Sequence, residues 1–459
     1  MLNLRASLLV LLGAAALAQT APRIGPWTAN PFYWEYGGRP VLLAGASDDD
    51  NLFQWPDKEL AEHLDRLAAA GGNYVRNTMS DRRDMGWEQY PYLRLETGKY
   101  DLNRWNPEYW RRFERFLEWT EKRGIIVQIE VWDRFDYSTQ FWQPHPYNPA
   151  NNVNYTFEES GFAPEYPEHP GRNRQPFFFT TPRQRNNTAV LPYQQRFVEK
   201  MLSYTLRHGN VLYCMDNETS GEEEWSRYWA QFIRERAARA GAEVYLAEMW
   251  DDWNLRAPRH RRTLDHPEIY DFVDMSQNNH NRGDDHWYNA LWVRGQLLQR
   301  PRPINTVKTY GADGNRFGHT DQDGVERVIR HVLAGFAAVR FHRPPSGLGL
   351  SPKPEAVLRA LRLLEPLAKP WEMEPAPPAL LSSREAGEAW AAHIPGRVWV
   401  VYFPAGGQVE LQTPPGRFSI RWIDADAGRF GPETAAEGHG WLEVSAPSRG
   451  NWIAVVQRR

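Results

Sequence analysis

The chain has 459 residues, of which 41% are hydrophobic and 24% charged, enough for one large domain plus a small one and without a bias toward disorder. With 54 basic and 57 acidic residues the net charge is −3, so no global field attracts nucleic acid or an anionic membrane. Cys214 is the single cysteine, which excludes an intrachain disulfide and a cysteine-rich metal site.

The opening stretch MLNLRASLLVLLGAAALAQTAP puts Arg5 ahead of an apolar run that ends in Ala16-Leu17-Ala18, a small-x-small cleavage pattern. Residues 1–18 are therefore expected to be a signal peptide, and the mature protein to be secreted or periplasmic. The run from Ala6 to Ala18 is shorter than the ~20 apolar residues a spanning helix needs, so no membrane span is expected.

From Pro40 onward, short β-rich runs alternate with segments of helical period, the pattern of repeated βα units around a parallel sheet. The runs are PVLLAGAS from Pro40, NYVRNTMS from Asn73, IIVQIEVWD from Ile125, NVLYCMDNE from Asn210, EVYLAEMWD from Glu243, FVDMSQNN from Phe272, PINTVKTYG from Pro303 and AAVRFHRPP from Ala337. Each starts apolar and ends polar. Between them, Leu60, Leu64 and Leu67 form one helical stripe. A second helix has Asn106 as N-cap, Pro107 at its first position, Trp110, Phe113 and Leu117 on one face and Gly124 as its stop. Eight strands with intervening helices predict a closed (β/α)8 barrel over residues 24–368, with functional residues gathered at the C-terminal ends of the strands. One connection, from Trp132 to about Pro192, is far longer than the rest, and its aromatic residues suit an ordered wall over that cup.

Residues 369–380 are proline-rich and read as a linker. Beyond them RVWVVYFP, QVELQT, FSIRWID and GWLEVSAP predict a small β-sandwich over 381–459. The chain also carries 21 Trp, 20 Tyr and 20 Phe. Flat rings suit sugar faces, although core packing is the ordinary role of most single rings.

The fourth run ends abruptly in Asp216, Asn217 and Glu218, which puts Glu218 in the cup. A carboxylate there can protonate a leaving oxygen, the step that glycoside hydrolysis requires, typically with a second carboxylate as nucleophile or base. Glu222, Glu223 and Glu224 are better read as first-turn charges of the next helix. The segment NVLYCMDNE resembles the fourth strand of the large clan of barrel glycoside hydrolases whose acid/base glutamate follows an asparagine, and GGNYVRN resembles that clan's second strand. The resemblance implies that Glu218 is the acid, that Asn217 contacts a sugar 2-hydroxyl and that Arg76 supports the carboxylates. NPFYWEYGGRPVLLAGAS, VYFPAGGQVEL, IRWIDADAGRFG and SAPSRGNWIAVV are similar to a group of barrel glycosidases whose tail is named for collagen binding, a name that carries no such function to this chain.

The chain departs from the clan at the seventh strand, where the nucleophilic glutamate is expected about five residues after a proline; counting from Pro303 through INTVK arrives at Lys308. Three readings follow. In the first, another strand end supplies the second carboxylate: Glu248 or Asp251, Glu130 or Asp133, or one of Asp48, Asp49 and Asp50. Glu248 is preferred because the fifth strand adjoins the fourth. In the second, Lys308 and Tyr310 act as base and acid of a polysaccharide lyase. In the third, the barrel binds glycans without turnover. His280, near Asp284, Asp285 and His286, matches no familiar metal-ligand spacing and reads as a hydroxyl ligand. The sequence thus predicts a glycoside hydrolase acting on a carbohydrate substrate, with Glu218 and Glu248 catalytic, with Arg76, Asn217, Trp132, His280 and Lys308 orienting substrate or tuning charge, and with no metal and no cofactor called for.

Overall fold

A computed structural model describes residues 22–82 and 85–459. The expected signal peptide, residues 1–18, lies outside the described residues. The eight expected strands form as β1 (Leu43–Ala46), β2 (Tyr74–Thr78), β3 (Ile126–Asp133), β4 (Val211–Asn217), β5 (Leu246–Ala247), β6 (Val273–Asp274), β7 (Ile304–Asn305) and β8 (Ala338–Phe341). They pair in parallel in the order β5-β4-β3-β2-β1-β8-β7-β6. At the remaining seam Asp271 N donates to Leu246 O at 2.8 Å, and the Asp271 carboxylate accepts from Leu246 N at 2.9 Å, so side chain and backbone together draw β5 toward the entry to β6.

One helix follows each strand: α1 (Asp57–Ala69), α2 (Pro107–Lys122), α3 (Leu191–Thr205), α4 (Glu223–Arg239), α5 (Pro258–Leu264), α6 (Gly283–Gln296), α7 (Asp321–Leu333) and α8 (Pro352–Ala368). Helix α2 starts as its sequence dictates: the Asn106 side chain accepts from Glu108 N, Pro107 needs no donor, and Gly124 takes a left-handed φ of 65° just beyond the end. The stripe of Leu60, Leu64 and Leu67 on α1 is fully buried. Among the described residues no helix is long and apolar enough to cross a membrane.

The lower barrel interior is filled by a polar network rather than by aliphatic layers alone. Tyr74 donates to Gln128 Oε1 at 2.5 Å, Gln128 donates to Asp274 at 2.8 Å, and Asn305 donates to both Tyr74 and Gln128. Trp34, from an N-terminal hairpin, closes this layer by donating its indole N–H to Asn305 at 2.9 Å. Gly45 on β1 is required by close approach, because a Cβ there would lie 1.7 Å from the Tyr74 carbonyl oxygen.

The long connection after β3 is ordered. Tyr137, Trp142, His145, Tyr147, Phe177 and Phe178 pack on one another, and Arg134 lies 4.1 Å from the Phe178 ring centre. Arg134 also donates to Thr219, the residue after Glu218, which ties this layer to the cup.

In the C-terminal domain a six-stranded antiparallel sheet faces a three-stranded one. Within the proline-rich stretch, Glu374 and Pro375 already pair with His393 and Ala392 of the larger sheet. The runs Trp390–Ile394 and Val398–Phe403 are buried at every residue because both faces are covered. Trp399, Val401 and Phe403 join the sandwich interior, whereas Val398, Val400 and Tyr402 join the barrel's core. Barrel and sandwich therefore share one apolar joint, with Arg330 of α7 4.5 Å from the Trp390 ring centre at its edge.

Ile453 is fully buried in that joint. Ile453→Ala should cost about 2–5 kcal/mol, the range for emptying a buried aliphatic site. Thermal unfolding should show one transition, lowered as a whole; a sandwich melting separately from an unchanged barrel would contradict the shared joint.

Candidate functional site

The polar ends of the strands converge at the C-terminal mouth of the barrel, and buried charge forms the floor. Asp50, after β1, is 2.8 Å from Arg76 Nη1, 3.1 Å from Arg340 and 2.9 Å from Arg343. Burial acts to raise the Asp50 carboxyl, but the charges of Arg76, His342, Arg340 and Arg343 hold it well below the usual range. Arg76 also donates its Nε to Glu130 at 2.6 Å. Burial lifts Glu130 to about 7 against the pull of Arg76 and Lys308. Asp133 accepts from Arg82 at 2.7 Å and from Asn217 Nδ2 at 3.1 Å.

Glu218 stands above this floor, immediately after β4. Its φ of 50° is left-handed, an uncommon conformation for a residue with a Cβ. The chain is fixed on either side of the kink: Asn217 ends β4, and Thr219 N donates to Met249 O at 2.8 Å. Three donors from β6 and β7 loops converge on one carboxylate oxygen, Oε1. They are Lys308 Nζ at 2.7 Å, Gln277 Nε2 at 3.2 Å and the Tyr310 hydroxyl at 3.3 Å. Among the described residues no hydrogen-bond donor reaches Oε2. Burial opposes ionisation of Glu218, but the Lys308 ammonium, assisted by Arg76 and Gln277, brings it down to about 2 from an ordinary 4.5. Glu218 is thus an anion at neutral pH, with 16% of its side chain open to solvent.

Glu248, the preferred of the candidate second carboxylates, does not open to the cup. Glu248 is fully buried; its Oε1 accepts from Asp216 N at 3.1 Å and from Met249 N at 2.8 Å. Burial and the charge of Asp216 raise it well above the usual range, and it is sealed in the wall between β4, β5 and α4. Asp50, Glu130, Asp133, Asp216 and Asp274 are likewise no more than 5% exposed. Asp251, on the loop after β5, is half-buried and near enough to Glu218 to feel it: burial first, and then the charge of Glu218, raise its carboxyl above the ordinary 3.8. Arg259 anchors its backbone by donating to Asp251 O at 2.7 Å.

Of the other expected residues, Lys308 lies at the centre, and Asn217 and His280 flank it. Asn217 Oδ1 is buried and has no donor among the described residues. His280 is exposed, with its ring 5.5 Å from Tyr310 and 5.9 Å from Phe317. Arg76 is 1% exposed and paired with Asp50 through Nη1 and with Glu130 through Nε, the place from which the resemblance has it support the carboxylates. Trp132 is also corrected: it is 2% exposed and packs among Phe177, Phe197, Trp225 and Trp229, with centroids 5.1–5.9 Å away. Gln277 was not singled out from the sequence; its place at the polar end of the sixth run was the available signal.

A family model described as a domain of unknown function, DUF6298, matches residues 91–250, a stretch that includes Glu218. Comparison with curated proteins finds no match. In structure the chain is similar to a glycoside hydrolase family 5 protein from Bacteroides vulgatus ATCC 8482, at 12% identity and a TM-score of 0.62, covering 95% of this chain and 93% of that one. It is also similar to a solved protein described as a glycoside hydrolase, at 12% identity and a TM-score of 0.61, covering 95% and 97%. The chain has the fold of these (β/α)8 barrel glycoside hydrolases, including a C-terminal β-rich domain.

Arg76→Met would leave Asp50 and Glu130 as buried acids without their shared cation. Breaking such a pair should destabilise the protein by about 3–5 kcal/mol, read by chemical denaturation. A loss below about 1 kcal/mol, the range of exposed pairs, would contradict the supporting role given to Arg76.

Proposed function

We propose that the protein hydrolyses a glycosidic bond in a polysaccharide or oligosaccharide, with Glu218 as the central carboxylate. The observation that carries this reading is the partly exposed anion at the end of β4, with Oε1 held by three donors and no donor on Oε2 among the described residues. A general acid has to hold its proton near the working pH. Glu218, brought down to about 2, does not meet that condition in the resting site, whereas the raised Asp251 comes closer to it. We therefore assign Asp251 as the proton donor to the leaving oxygen and Glu218 as the anionic partner at the sugar. The role expected of Glu218 from the sequence is thereby exchanged. Asn217 Oδ1, buried without a donor, supports recognition of a sugar hydroxyl.

Lys308 stands where the clan's seventh-strand nucleophile is expected and donates directly to Glu218. That contact argues against the lyase reading, because an ammonium so engaged has no lone pair with which to take a proton. It also gives the reading of a glycan binder without turnover its one specific support, since the usual pair of carboxylates is replaced by a closed ion pair.

Glu218→Gln and Asp251→Asn should each lower kcat by about 10²–10⁴-fold on whichever glycan the wild type cleaves, the range for loss of a general acid or base. For kcat/KM, Glu218 must be ionised and Asp251 protonated. Activity should then persist toward pH 2 on the acid side and fall on the alkaline side through an Asp251 pKa above 3.8. Lys308→Met removes the charge that depresses Glu218, so its acid limb should move up toward 4.5. Wild-type protein that binds a glycan panel and hydrolyses none of it would establish the binding reading instead.

A further inference from the structure

Trp253 is 64% exposed, the most open of the large hydrophobic side chains described. A single exposed apolar residue is ordinary on a protein surface. The setting of Trp253 is not. It lies two residues beyond Asp251, on a loop held from three sides: Arg259 donates to Asp251 O at 2.7 Å, His260 Nε2 lies 2.7 Å from Asp252 O, and Asn281 donates to Trp253 O itself at 3.1 Å. The loop backbone is thus fixed while the indole is left open.

Asn281 follows His280, so this bond joins the β5 loop to the β6 loop at the mouth. His280 in turn faces Tyr310 and Phe317, which stack at 4.9 Å with an interplanar angle of 12°. The loops after β5, β6 and β7 thus each carry a ring near the mouth: Tyr310 touches Glu218, His280 faces Tyr310, and Trp253 sits on the loop tied to Asn281.

We propose that these loops form an extended glycan-binding rim, in which Trp253 is the platform for a pyranose unit beyond the cleaved bond. The ligand class is a sugar chain longer than a disaccharide. A pyranose presents a face of C–H groups, and an exposed, preorganised indole is the side chain best suited to cover it, because few rotamers have to be frozen on binding. The proposal rests on the hydrolase reading for its inner end but not for the platform itself.

The test compares wild type and Trp253→Ala on disaccharides and longer oligosaccharides of glucose, mannose and xylose, measuring KM by hydrolysis and affinity by calorimetry. Trp253→Ala should reduce the preference for longer over shorter chains about tenfold, the loss of roughly one aromatic contact, and Trp253→Phe should restore most of it. Tyr288→Ala, which removes another exposed ring on α6, should leave the preference intact. An unchanged chain-length preference in Trp253→Ala, with hydrolysis retained, overturns the rim and spares the hydrolase. Long chains bound through Trp253 but never cleaved sustain the rim and overturn the hydrolase. Wild type that neither binds nor cleaves any of the chains overturns both.

Discussion

The site turns on one crowded oxygen. A lysine, a glutamine and a tyrosine, from the loops after β6 and β7, meet on Oε1 of Glu218, which comes from the end of β4. The cluster crosses the mouth of the barrel and fixes the charge state of a carboxylate that is 2.7 Å from Lys308 and partly open to solvent. Burial by itself would favour a neutral Glu218; a cation at 2.7 Å reverses that preference. The left-handed backbone at Glu218 has the same cause at another level, since a kink held between β4 and the Thr219–Met249 hydrogen bond delivers the carboxylate to that cluster.

The rest of the barrel is arranged to make such a charge tolerable. Asp50, Arg76, Glu130 and Arg340 form a buried ionic floor in which each acid faces a guanidinium, so the mouth can hold further charge without a large uncompensated field. Below it the Tyr74–Gln128–Asp274–Asn305 network spans β2, β3, β6 and β7, and its partners are nearly all supplied by side chains. Outside, the large sandwich sheet covers helices α7 and α8, which is why its strands read as continuous apolar runs rather than alternating ones.

Much of this was legible in the sequence, and the failures share a physical origin. Apolar runs with polar ends revealed all eight strands, and Asn106, Pro107 and Gly124 marked the ends of α2. Glu218 was legible because β4 runs unbroken to Asn217, so the position of the next residue follows from the strand. Glu248 was misjudged because the β5 ladder ends at Ala247. Beyond that point the period of two no longer tells which way a side chain faces, and the carboxyl turns into the wall while Asp251, three residues on, stays half-buried and close enough to Glu218 to feel its charge. Trp132 failed for a different reason: in a chain with 21 tryptophans, type alone does not separate a ring that meets ligand from one that packs on Phe197 and Trp229. Lys308 was legible as a departure from the clan, but its grip on Glu218 required the fold.

Lys308 keeps Glu218 ionised in the resting site, and that charge state can be read without any substrate. Isotope-edited infrared titration of the Glu218 carboxyl, with Glu218→Gln as the blank, follows that one group directly. The wild-type midpoint should fall at about 2. A wild-type midpoint at or above the ordinary glutamate value of 4.5 would contradict it.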